Sequence, residues 1–84
     1  MAEQPDGMTP EQLRAMGARF ADARRHRGYS VEEAAGAVVM HTELLRGIEQ
    51  GRSEADLEEA YKLARLYAVS LDWLAGLSDE GGPR

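Results

Sequence analysis

Residues 30–51 read SVEEAAGAVVMHTELLRGIEQG, and this stretch decides the fold. Ser30 followed by Glu33 is a capping box, in which hydroxyl and carboxylate each satisfy a free amide at a helix start. A short helix is therefore expected from Val31 through Ala34, Ala35 and Val38. His41-Thr42 opens a second, with Leu45 and Ile48 turned inward and Gly51 just past its end, where glycine is favoured. Two short helices joined by so brief a turn must cross closely. Apolar residues are needed where they face each other, and Ala34, Val38, Met40, Leu45 and Ile48 stand at those places. Ala35 supplies the small residue at the crossing.

Outward from this pair, the same signals recur. Thr9-Pro10-Glu11-Gln12 combines a cap, a proline at the first helical position and a capping-box glutamine. Leu13, Met16, Phe20 and Ala23 then make one apolar face, and Gly28 stops the helix. Asp56 and Glu59 form a third box, followed by Leu57, Ala60, Leu63, Ala64 and Leu66 or Tyr67. Ser70 caps a last short helix from Leu71 to Ala75. The sequence predicts an all-α, compact five-helix bundle without strands, its connections short enough for one domain. Residues 1–8 are expected to be a flexible N-terminal tail, 9–77 the folded domain, and 78–84, with Gly81-Gly82-Pro83, a flexible C-terminal tail.

The chain has 84 residues, net charge −5 and no cysteine. So short a chain buries a thin core, with no disulfide to reinforce it. The charge is uneven. Residues 14–27 hold Arg14, Arg19, Arg24, Arg25 and Arg27 against Asp22, whereas residues 31–84 carry eleven acids against five bases. A local basic stripe binds phosphate despite an acidic total, because charge beyond roughly 8 Å is screened in physiological salt. No apolar run is long enough to span a bilayer. Absent cysteine and secretory signal point to the cytoplasm.

The stretch from Met16 to Gly76 resembles the Cro/Xre-type helix-turn-helix domains of phage repressors. Gly17-Ala18-Arg19-Phe20 and Ala23-Arg24 are similar to that family's first helix. Gly28-Tyr29-Ser30 with Glu32-Glu33-Ala34-Ala35 is similar to the start of its second. Ile48-Glu49-Gln50-Gly51-Arg52 resembles the end of its recognition helix, and Leu63-Ala64 with Val69-Ser70-Leu71-Asp72-Trp73-Leu74 its last two helices. The resemblance implies a transcription regulator that binds double-stranded DNA sequence-specifically, laying the helix Thr42 to Gln50 in the major groove. His41, Thr42, Glu43, Arg46, Gly47 and Gln50 would face the bases. Arg46 is the candidate for guanine, since its fork matches two acceptors. Arg25, Arg27, Ser30, Arg52 and Ser53 would hold phosphates, Ser30 at a helix start whose amides favour anions. Arg24 and Glu49 would form a structural ion pair between the first and third helices. A homodimer on a two-fold operator is implied, with Trp73 and Leu77 as a contact near the C-terminus.

Three residues depart from that pattern. Val31 replaces a glutamine that bonds the DNA backbone. Val39 replaces a glycine in the turn, where positive φ strains a β-branched residue. Gly47 is expected on the exposed face of the recognition helix, giving up a base contact. Ala34 and Ala60 also stand where leucines are common, leaving space for Tyr29, Tyr61, Tyr67 or Trp73.

An enzyme is not expected. His26 and His41 lack partners at catalytic or metal-binding spacing, and Glu32-Glu33 and Glu58-Glu59 sit in first helical turns, where the macrodipole favours acids. No metal or cofactor is implied. The alternative function is a protein-binding module on the same fold, to which the acidic surface, Val31, Glu43 and Gly47 are suited.

Overall fold

A computed structural model describes residues 7–84. Its helices are α1 (Pro10–His26), α2 (Val31–Ala37), α3 (Thr42–Glu49), α4 (Leu57–Tyr67) and α5 (Leu71–Leu74). No strand occurs among the described residues. Residues 1–6 of the expected N-terminal tail lie outside them.

The caps fix the helix starts. The Thr9, Ser30 and Asp56 side chains accept from the amides of Gln12, Glu33 and Glu59. Those three side chains reach back to the capping amides at 2.8–2.9 Å. Ser70 caps α5 through the Trp73 amide. His41, at the start of α3, makes no side-chain cap bond, so α3 is held by packing on its neighbours.

That packing is apolar. Phe20, Leu45, Leu63, Tyr67 and Leu74 are fully buried, with Ala23, Ala34, Ala35, Val38, Ile48, Ala60 and Ala64 between them. Each large side chain stabilises the fold by about 1.5–3 kcal/mol through burial. Ala34 and Ala35 are shielded from solvent, which lets α2 lie close on α3. Tyr67 takes up space left by small residues, with Tyr29 tilted against it at 6.3 Å between ring centres. Burial pushes the Tyr67 phenol above its ordinary value. Tyr61 remains half exposed and fills no core space.

The turn between α2 and α3 carries the strain expected of it. Val39 has φ +56° and the residue is 91% exposed. A β-branched residue in this region costs about 1–3 kcal/mol, with no burial to offset it. Val39→Gly is accordingly expected to stabilise the domain by about 1 kcal/mol after glycine's greater unfolded-state entropy is counted. A urea midpoint equal to or below that of the parent would show that the turn is relaxed.

Residues 78–84, which include Gly81-Gly82-Pro83, lie against α1 and α5. The Ser70 amide donates to the Gly81 carbonyl at 2.9 Å. Arg19 donates to the carbonyls of Trp73 and Ser78, pairs with Asp79 and lies over the Trp73 ring at 4.8 Å. Gly82 rests on the indole so closely that a Cβ there would sit 2.7 Å from Trp73 Nε1. Trp73 is thus partly covered by its own chain. Leu77 stays 79% exposed.

Candidate nucleic-acid interface

The outer side of α3 is positioned from beneath by α1. Arg24 Nε and Nη2 donate to the two Glu49 carboxylate oxygens at 2.7 and 3.0 Å, a bidentate pair. Both side chains are nearly buried, at 12% and 10% exposure. Arg24 Nη1 also donates to the Tyr29 carbonyl at 2.9 Å, which ties down the loop before α2. The Glu49 hydrogen bond raises the Arg24 guanidinium above its ordinary value. Arg24 is therefore a brace between α1, α3 and the Tyr29 loop. Gly17 completes the contact: α1 approaches the backbone of Ile48 and Glu49 so closely that a Cβ would come within 2.5 Å of both carbonyl oxygens.

Above this brace, Arg25, Val31, Arg46 and Gln50 line one open groove between α1, α2 and α3, with Arg24 and Glu49. Thr42 and Glu43 begin α3, Glu43 exposed and Thr42 half-buried. Val31 is half-buried against the core and offers no polar group to the groove.

Other predicted residues stand apart. Gly47 is buried, and the expectation that it lies on the exposed face is overturned. Its carbonyl accepts from the Arg52 and Ser53 amides at 2.8 and 3.2 Å, and a Cβ would sit 2.9 Å from Ser53 Oγ. The turn after α3 therefore closes over Gly47. Ser53 shares an apolar recess with Met8, Leu13 and Met16. His41 is exposed, but lines a different cleft, with Asp56, Glu58 and Glu59 of the α4 start. The Ser30 hydroxyl is engaged in its capping box. Arg27 is exposed; Arg25 lies 3.7 Å from Asp22. Arg52 Nε donates to Gln50 Oε1 at 2.9 Å, linking two of the predicted residues.

Arg46 is doubly held. Its Nη2 donates to Glu32 at 2.7 Å and its Nη1 to Glu43 at 3.0 Å. The Arg46 side chain is 37% exposed. A backbone hydrogen bond at the residue's own amide, then the Arg46 contact, holds the Glu32 carboxyl below the usual carboxylate range. In the sequence Glu32 has a local reason in the helix dipole and no assigned contact. Its partner was readable once α2 and α3 were placed side by side, because both residues point outward across the crossing.

A helix-turn-helix family model, HTH_3, matches residues 20–74, which takes in all of α2, α3, α4 and α5. The chain belongs to the helix-turn-helix family. Solved structures agree with it in fold. The restriction-modification controller protein C.AhdI from Aeromonas hydrophila is 25% identical with TM-score 0.72, covering 76% of this chain and 97% of that one. The N-terminal DNA binding domain of SinR from Bacillus subtilis is 24% identical with TM-score 0.69, covering 73% and 90%. The clp gene regulator ClgR from Corynebacterium glutamicum is 20% identical with TM-score 0.73, covering 95% and 99%. Among curated proteins none matches. Within the helix-turn-helix family, α2 and α3 are the two helices of the motif and Val39 lies in its turn.

Proposed function

We propose that this helix-turn-helix chain is a sequence-specific DNA-binding transcription regulator that places α3 in the major groove of a duplex. The carrying observation is the groove that joins Arg25, Arg46 and Gln50 on the outer side of a braced α3. The family match and the likeness to a controller protein, a gene regulator and a DNA binding domain support the reading. Arg46 reads guanine, and Gln50 reads adenine or meets a phosphate. Thr42 meets a thymine methyl or a phosphate, while Glu43 accepts from cytosine. Arg25, Arg27 and Arg52 supply phosphate contacts, with Ser30 and Ser53 as lesser ones. The regulator works in the cytoplasm on the nucleoid as a homodimer, its half-sites about one helical turn apart. Leu77, beside a groove lined by Ala15, Met16 and Leu74, is the apolar contact for the second copy.

Selection from random duplexes tests this. The chain is expected to enrich a palindromic motif, and Arg46→Ala to weaken binding to it by about 5- to 150-fold, the worth of a bidentate base contact. Binding to the enriched motif is expected to fall with salt along a log–log line. A second reading, a protein-docking module, is favoured by one observation: the two carboxylates on Arg46 leave that part of the face with excess negative charge. Absence of any enriched motif at low salt, with salt-insensitive capture of a protein ligand, would establish it instead.

A further inference from the structure

The Glu32–Arg46–Glu43 arrangement ties the second residue of α2 to the middle of α3. Exposed ion pairs contribute little to stability. Its effect is on geometry and field. A free arginine samples many rotamers and meets any acceptor within reach. Here each terminal nitrogen is fixed by a different carboxylate, and the acids come from two helices whose crossing is set by Ala34 and Ala35. Each nitrogen still has one N–H to donate, because the guanidinium carries two on each. One donor on each terminal nitrogen is the number that the paired acceptors N7 and O6 of guanine require. The carboxylates also repel phosphates, which weakens attachment to any duplex regardless of sequence.

We propose that Glu32 is a positioning residue for base readout: by clamping Arg46 against Glu43 it presents the guanidinium to guanine and lowers affinity for duplexes that lack guanine there. This rests on the DNA-reading function proposed above. Glu32 itself does not contact the base. It raises discrimination at the expense of overall affinity, two effects that a residue needed only for folding does not separate.

The test measures binding of the parent, Glu32→Ala, Arg46→Ala and the double variant. The probes are the duplex enriched by selection, the same duplex with each guanine replaced in turn, and a scrambled duplex. Glu32→Ala is expected to bind the scrambled duplex about fivefold tighter and to lose about fivefold in discrimination at one guanine position, within the range a single base contact commands. In the Arg46→Ala background, removing Glu32 is expected to leave discrimination unchanged. The Glu32 side chain is 64% exposed, and a thermal melt within a few degrees of the parent will show that the variant is folded. An enriched motif that Arg46→Ala destroys, with discrimination intact in Glu32→Ala, overturns the positioning role and leaves the DNA reading standing. An equal loss in both backgrounds also overturns it. Failure of the parent to enrich any motif removes the DNA reading itself, and this inference with it.

Discussion

Glu49→Ala is expected to destabilise the domain by about 3 kcal/mol, enough to lower Tm by more than roughly 10 °C in a chain of this size. The loss follows from what would be left behind. Two of the three Arg24 hydrogen bonds go to Glu49, and the third to the Tyr29 carbonyl. Truncation leaves a guanidinium at 12% exposure with one acceptor, between two helices that cannot part without opening the core. Breaking a buried pair from one side typically costs about 3–5 kcal/mol. The lower end applies because both groups retain some contact with solvent, which screens the charge. The total stability of small domains is itself only about 5–15 kcal/mol. Urea unfolding followed by circular dichroism will check the figure, and an unchanged midpoint would mean that the pair contributes nothing net. The same variant is expected to bind DNA poorly, because α3 loses its tie to α1.

Gly17→Ala is expected to cost about 2–3 kcal/mol, at the upper end of what one inserted methyl costs in a tight interior. The new carbon would lie 2.5 Å from the carbonyl oxygens of both Ile48 and Glu49. These are backbone atoms in the last turn of α3, so no side chain can rotate away. The helices must separate, and the separation stretches the Arg24–Glu49 pair two turns along the same face of α1. Both variants therefore act on one contact. Combined, they are expected to destabilise by less than the sum of their single effects, since coupled neighbours are not additive. Strict additivity in denaturant unfolding would place the two on independent contacts.

The fold was legible because its signals are local. Thr9, Ser30, Asp56 and Ser70 each announce a helix by the chemistry of a free amide, and every one of them caps. The apolar positions between Ala34 and Ile48 set the crossing of α2 and α3, and the turn strain was visible in the choice of valine at residue 39. The site was less legible. By resemblance to the family Gly47 would be exposed, whereas in this chain the turn after α3 doubles back over it. By resemblance to the family His41 would face the bases, and the cleft it lines belongs equally to α4. Glu32 was overlooked because an acid in a first helical turn already has a sufficient local reason, and only the neighbouring helix supplies the second. The C-terminal residues have the composition of a free tail. Their path depends on Arg19 and Trp73, distant in sequence, and no local rule reports such contacts.

Trp73 is the single tryptophan of the chain, and the backbone at Gly82 lies against it. Its indole emission is consequently an intrinsic optical gauge of whether the last residues are seated or lifted, readable in the unmodified protein. Dyes or fused partners attached past Pro83 would perturb the very signal they were meant to report, so labels belong elsewhere on the molecule.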